Sequence, residues 1–230
     1  MLLSVPTVIE LNERLPDLNT PVPPHPASRG TTPEIYSVVR LIGSIPLFPS
    51  DFPLSLLKAE RPDFILHLGA RGIGIEHTEA VPQNVVHESV LRAALGHEFY
   101  MMRNAVPGEP RKSKKQLLAE IKEGRDPAPM IGDSVERGWA AAMLHFVESK
   151  VASARKPGYA AHDEHWLTIY DNWPAPALQH QLALALLQER LEASEAFDVF
   201  DRIFILDENV LIDFARGRVL LHSVNHCQRP

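Results

Sequence analysis

The sequence predicts an α/β fold in which a mixed central β-sheet, containing an antiparallel hairpin, is flanked by helices. Three observations lead to this prediction. Short apolar runs bounded by turn residues, which are typical of strands, occur within residues 63–79, 165–171 and 202–222. Longer segments with apolar residues at helical spacing separate these runs. The order of the segments is irregular, unlike the strict alternation of strand and helix in a regularly wound parallel sheet.

The first predicted element after the N-terminal region is a helix. Thr32 is a suitable N-cap, Pro33 suits the first helical position, and Gly43 is a plausible end. Further helices are predicted at about 88–103, 113–123, 134–154 and 177–196. Strands are predicted at 63–68, 73–79, 165–171, 202–206, 210–214 and 218–222.

Chain length favours one domain preceded by an arm. The 230 residues, 45% of them hydrophobic, suffice for one sizeable core and are few for two. Residues 16–33 are rich in Pro, Thr and Ser. We therefore expect residues 1–33 to form an extended N-terminal arm and residues 34–230 to form a single α/β domain.

Composition narrows the classes of function. The lone cysteine, Cys227, fits a reducing compartment, and the sequence contains no signal-peptide pattern and no apolar run long enough to cross a membrane. We expect a cytoplasmic protein without a membrane partner. The net charge of −6 argues against high-affinity, non-specific binding to DNA. A local basic groove remains compatible with it, and the clear basic run is Arg111, Lys112, Lys114 and Lys115.

The segment with the clearest chemistry is the hairpin at 63–79. With Ala70 and Arg71 taken as the centre of its turn, Asp63 faces Thr78, and Glu76 lies on the same face of the sheet. The Cα atoms of Asp63 and Glu76 are then diagonal neighbours on the sheet, about 7 Å or less apart. Such a pair of carboxylates can share a divalent cation.

These residues resemble the metal-binding hairpin of the PD-(D/E)XK, or restriction endonuclease-like, superfamily. Pro62-Asp63 is similar to the PD of that motif, and Glu76, His77 and Thr78 are similar to its second half, with threonine at the lysine position. The resemblance extends over residues 34–80 and 135–172 and implies the corresponding mixed sheet. It also implies a metal-dependent phosphodiesterase, or nuclease, acting on DNA.

The resemblance also implies roles for individual residues. Asp63 and Glu76 would hold Mg²⁺ (or Mn²⁺), and Glu34 would lie on the first core helix. Thr78 stands where the family has a lysine that stabilises developing charge. Because threonine is neutral, an ammonium has to come from elsewhere if the site is active. Lys150, on the predicted helix at 134–154, is the first candidate.

Two other interpretations stay open. The absent lysine and the acidic balance favour a catalytically degenerate member of the same fold, serving as a nucleic-acid or protein binding module. Alternatively, the chain is an unrelated α/β binding protein whose hairpin is only structural. A histidine-rich run at 162–165 has spacing compatible with zinc, but no companion ligand pair with suitable spacing follows it.

Overall fold

The computed structural model describes residues 1–18, 22, 30–97, 103–124 and 128–224. Within them, one eight-stranded sheet has its strands in chain order. The strands are β1 (Leu3–Val5), β2 (Leu54–Lys58), β3 (Phe64–Leu68), β4 (Arg71–Ala80), β5 (Glu164–Asp171), β6 (Arg202–Asp207), β7 (Val210–Ala215) and β8 (Arg218–Ser223). Neighbours from β1 to β4 pair antiparallel, β5 pairs parallel to β6, and β6 to β8 pair antiparallel. The expected mixed sheet is confirmed.

The helices are α1 (Val8–Leu18), α2 (Thr32–Ser44), α3 (Gln83–Ala94), α4 (Lys114–Glu123), α5 (Ser134–Ala154) and α6 (His180–Ala193). The bounds of α5 are those predicted from the sequence. Helix α3 begins earlier than the predicted 88–103 and ends at Ala94, and residues 98–102 of the predicted range lie outside the described residues. No helix in the described ranges is both long enough and apolar enough to cross a membrane.

The N-terminal region differs from the extended arm expected for residues 1–33. Strand β1 and helix α1 lie within it, because Leu3, Val5, Leu11 and Leu15 are buried in the main core. These leucines and valine are too sparse to give a clear periodic signal, and their burial depends on partners far along the chain. Most of the Pro-rich stretch, residues 19–21 and 23–29, lies outside the described residues, as does Cys227.

Contacts divide the chain into two compact units, where the sequence favoured a single domain. Unit 1 comprises Met1–Glu79, Phe146–Asp171 and Arg190–Pro230, and unit 2 comprises Ala80–His145 and Asn172–Glu189. In unit 1, α2 packs on β5 and β6, and side chains such as Val38, Phe64 and Trp166 form the core. In unit 2, α3 and α4 meet through a small apolar cluster. All candidate site residues belong to unit 1.

The turn of the hairpin lies one residue earlier than predicted. Phe64 pairs with Ile75, and the two turn residues are Gly69 and Ala70. Gly69 has a φ of +58°, a conformation that glycine adopts without strain. A Cβ atom at this position would lie 2.7 Å from the backbone oxygen of Ser50. Backbone conformation and crowding therefore place the turn at Gly69. The sequence analysis had instead taken Ala70 and Arg71 as the centre of a symmetric turn.

This correction changes the residue opposite Asp63. The prediction placed Thr78 there, whereas the pairing of Phe64 with Ile75 brings Glu76 beside Asp63 instead. A shift of two residues keeps every side chain on its original face, because strand faces alternate with a period of two. Glu76 and Thr78 therefore still share a face, and the two carboxylates come closer together than predicted.

Candidate functional site

The site begins at Asp63, the residue immediately before β3. Its backbone oxygen accepts a hydrogen bond from the backbone N–H of Ala59 at 2.9 Å and another from the Lys58 ammonium at 3.1 Å. One side-chain oxygen, Oδ2, accepts the backbone N–H of His77 at 2.8 Å. The carboxylate is thereby fixed against β4 at the open end of the hairpin.

Lys150 brings an ammonium group to both carboxylates. Its Nζ lies 2.6 Å from Oε2 of Glu76 and 3.4 Å from Oδ2 of Asp63. Lys150 and Asp63 are each 21% exposed in their side chains, and Glu76 is 9% exposed. The three charges therefore lie largely out of bulk water, where Coulombic attraction is strong and an unpaired charge is costly. The positive charge beside the two carboxylates therefore comes from α5.

A second lysine joins Glu34 to the same group. The Nζ atom of Lys58 lies 2.7 Å from Oε2 of Glu34 and 3.9 Å from Oδ1 of Asp63, and it sits 4.4 Å above the ring of Phe64. We call Glu34, Lys58, Asp63, Glu76 and Lys150 the Asp63 cluster. Glu34 contributes to it through Lys58 and not by direct contact with Asp63.

The sequence analysis did not identify Lys58. It ends β2, which was not predicted, and its pairing with Phe64 places it next to Asp63 in space. The available signal was the alternation of Leu54, Ser55 and Leu56, which predicts a strand running toward the hairpin.

His77 lies on the face opposite to Glu76. It is buried, and its Nε2 lies 3.2 Å from the hydroxyl of Ser37 on α2. Burial lowers the pKa of His77 to about 3, and the nearby Asp63 carboxylate offsets this only in part. The imidazole is therefore neutral at pH 7, which suits a structural contact with α2.

An aromatic group from the loop before β5 and the start of that strand adjoins the cluster. The ring centroids of His162 and His165 are 5.7 Å apart, and those of Tyr159 and His165 are 5.3 Å apart. Burial raises the pKa of Tyr159, with a further contribution from the negative charges of Glu76 and Asp63, so its phenol stays protonated. The Tyr159 hydroxyl is nevertheless not positioned for a well-formed hydrogen bond with a described residue.

Gly74 makes room for this aromatic group. A Cβ atom there would lie 2.7 Å from the His162 ring and 3.0 Å from the ring of Pro62. Burial lowers the pKa of His165, and His162 adds to the effect. The histidine-rich run therefore packs against β4.

The oxygen donors of the cluster suit a hard divalent cation. Magnesium commonly uses one or two carboxylates and keeps several waters, and Asp63 and Glu76 match that donor set. Among the described residues, no group of three or more His, Cys, Asp or Glu side chains is arranged to hold a metal. The ammonium of Lys150 occupies the space between the two carboxylates. A cation held by both would therefore bind in exchange for that ammonium.

Comparisons with known proteins return no match. No family model, no curated protein and no solved structure is significantly similar to this chain. Membership of the PD-(D/E)XK superfamily stays a prediction, supported by Pro62-Asp63 and Glu76.

Proposed function

We propose that this protein is a Mg²⁺-dependent phosphodiesterase that cleaves DNA in the cytoplasm. The observation that carries the proposal is the position of the Lys150 ammonium, 2.6 Å from Glu76 and 3.4 Å from Asp63. Two carboxylates with an adjacent ammonium can support metal-dependent hydrolysis of a phosphodiester, because they supply ligands for a cation and a positive charge near the reacting phosphate.

Each residue has a specific task in this proposal. Asp63 and Glu76 would hold the Mg²⁺, which when bound neutralises charge on the scissile phosphate. The N–H of His77 fixes Oδ2 of Asp63, so the carboxylate needs little reorganisation. Lys150 would stabilise the negative charge that develops on the phosphate. Lys58 and Glu34 support Asp63 from its other side.

Net charge in the Asp63 cluster also favours a cation. Glu34, Asp63 and Glu76 carry three negative charges, and Lys58 and Lys150 carry two positive charges. The cluster therefore has one negative charge in excess while the ammonium is in place. A divalent cation would relieve this excess and release Lys150 toward the substrate.

A second candidate function is a catalytically degenerate module that binds nucleic acid or protein. Two observations favour it: Lys150 pairs directly with both carboxylates, and the chain carries a net charge of −6. In this case the three residues form a structural ion-pair network and the cation plays no part. Such networks stabilise folds without any catalytic role.

The deciding experiment is a cleavage assay on plasmid, linear and single-stranded DNA with Mg²⁺ or Mn²⁺. Asp63→Ala should reduce cleavage by about 100-fold or more, since it removes a proposed ligand of the metal that neutralises the phosphate. Glu60→Gln, at an exposed acidic residue, is the matched control and should retain activity. Cleavage that persists undiminished in Asp63→Ala would rule out this site. Wild-type protein that cleaves no DNA with either metal would favour the binding module.

A further inference from the structure

Unit 1 contains a cavity of about 280 Å³ on the face of the sheet that carries Arg71. Arg71 and Glu76 are five positions apart on β4, so their side chains point to opposite faces. The cavity is therefore separate from the Asp63 cluster. Its walls include three arginines, one histidine, one aspartate (Asp51) and several apolar side chains.

The geometry of β7 and β8 brings the charged walls together. Arg218, Leu220 and His222 alternate along β8 and share one face, and Leu220 pairs with Asp213 of β7. Asp213 is fully buried on that face. Arg218 and His222 therefore flank it on the two diagonals.

The carboxylate of Asp213 lies close to the side chains of two arginines and one histidine. It accepts hydrogen bonds from Nε of Arg202 at 3.1 Å and from Nη2 at 2.5 Å. Nη2 of Arg218 lies 3.9 Å away and Nε2 of His222 lies 3.5 Å away. Two guanidinium groups face one carboxylate, which leaves at least one positive charge in excess.

The third arginine is paired with two other carboxylates. Nη2 of Arg71 lies 3.0 Å from Asp51, and Nη1 lies 2.9 Å from Glu164. The other oxygen of Asp51 accepts the backbone N–H of Phe48 at 2.8 Å. Arg71, Asp51 and Glu164 together therefore carry one negative charge in excess, but neither carboxylate forms an ion pair with Arg202 or Arg218.

The guanidinium of Arg202 is held in one orientation, and some of its N–H donors are not used on Asp213. It lies 4.9 Å from the ring of Trp166 and 4.6 Å from the ring of Phe204. A guanidinium has five N–H donors, and two of its nitrogens are used on Asp213. Arg218 donates no side-chain hydrogen bond within the described part of the chain. Unused donors on an oriented guanidinium, such as that of Arg202, bind anions with little reorganisation.

We propose that this cavity binds a small organic phosphate monoester, with its phosphate on Arg202 and Arg218. A phosphate monoester carries a charge of roughly −1.5 to −2 at pH 7 and offers three strong acceptor oxygens. It therefore matches the two guanidinium groups better than a singly charged carboxylate does.

The apolar walls select the remainder of the ligand. Phe48 is 62% exposed and Leu220 is 40% exposed, and both line the cavity beside the arginines. Contact with an aromatic or aliphatic body would cover these surfaces. The ligand is thus an ester with an apolar group, in preference to free phosphate.

Isothermal titration calorimetry of the full chain at pH 7.5 tests this with phenyl phosphate, inorganic phosphate and benzoate. Phenyl phosphate should bind about tenfold more tightly than benzoate, because only it presents a doubly charged group to both arginines. It should also bind more tightly than inorganic phosphate, which cannot use Phe48 and Leu220. Arg218→Gln should weaken its binding about tenfold.

Arg216→Gln is the matched control, because Arg216 is exposed and pairs with Asp198 outside the cavity. This variant should bind phenyl phosphate like the wild type. Arg218 is half exposed, and its Nη2 lies 3.9 Å from Asp213, too far for a hydrogen bond. Its substitution should therefore leave the Arg202–Asp213 pair intact. Absence of binding at millimolar phenyl phosphate, equal affinity for benzoate, or unchanged affinity in Arg218→Gln would each overturn the assignment.

Discussion

At the scale of single residues, charge compensation decides what the Asp63 cluster can do. The ammonium of Lys150 reaches the carboxylates of Asp63 and Glu76 from α5. Sequence reasoning located Asp63 and Glu76 because strand alternation is a local rule. It missed Lys58, since the contact of that residue with Asp63 depends on a strand pairing that no local pattern reveals.

Removing Lys150 should destabilise the fold. In Lys150→Met, Asp63 and Glu76 keep their negative charges without the ammonium between them, and we expect a loss of about 1–3 kcal/mol in the free energy of unfolding at pH 7. Urea denaturation measures it, with Lys156→Met at an exposed lysine as the control. Adding Glu76→Gln to Lys150→Met should restore part of the loss. Equal stability of Lys150→Met and the wild type would show that the pairs contribute nothing.

Moving the ammonium to position 78 separates catalysis from stability. If the protein cleaves DNA, Lys150→Met should reduce the rate and the double variant Lys150→Met/Thr78→Lys should recover part of it. The reason is that Thr78 shares the face of Glu76, so a lysine there approaches the same carboxylates. Cleavage rates of the wild type and both variants provide the measurement. A double variant no more active than Lys150→Met would argue against a catalytic ammonium.

The buried imidazole of His77 predicts how stability depends on pH. Burial lowers its pKa from 6.5 to about 3, so between these values the unfolded chain binds a proton that the folded chain does not. The contribution of His77 is complete above pH 6.5 and is lost as the pH falls toward 3. Near pH 5 the slope should be about 1.4 kcal/mol per pH unit.

His77→Gln is the comparison, because an amide can still reach the hydroxyl of Ser37 and does not titrate. Chemical denaturation between pH 4 and 7 should show a shallower decline in this variant than in the wild type. Identical slopes would mean that His77 becomes protonated in the folded protein.

At the scale of elements, the hairpin shows which features sequence patterns predict and which they do not. Its two strands, their shared face and the helix at 134–154 were predicted from periodicity. The register was wrong, because it depends on the positive φ of Gly69 and on contact with Ser50, which is distant in sequence. The predicted assignment of side chains to the two faces of the sheet was still correct, because the register differs from the prediction by two residues, an even number.

Strand β4 offers a matched pair of glycines that tests its packing. Gly74→Ala should destabilise the protein by about 1–3 kcal/mol, since its Cβ would lie 2.7 Å from His162 and 3.0 Å from Pro62. Gly72→Ala, two residues earlier on the same face, meets its nearest atoms at 3.7 Å and should be neutral or slightly stabilising. Thermal or urea unfolding compares them. Equal effects of the two substitutions would show that the loop carrying His162 yields without cost.

At the scale of the whole molecule, charge distribution bears on the choice between enzyme and binding module. The net charge is −6, so any contact with DNA has to use local positive groups. In the basic run at 111–115, Lys112 pairs with Glu109 and Glu120, and these hydrogen bonds raise its pKa. Arg111, Lys114 and Lys115 are exposed and can meet phosphates.

The salt dependence of DNA binding tests this distribution. Each phosphate contact adds roughly 0.9 to the slope of log affinity against log salt concentration, so Arg111→Ala/Lys114→Ala/Lys115→Ala should lower that slope by about 2–3. Fluorescence anisotropy with a labelled duplex between 20 and 200 mM salt, a range of roughly one decade in which the effect is measurable, gives the slopes. Lys156→Ala, which removes one exposed lysine outside the run, is the control.

An unchanged slope in the triple variant would place the DNA elsewhere on the surface. Absence of binding even at the lowest salt would remove DNA as the partner, and the Asp63 cluster would then be explained better as a structural network in a protein-binding module.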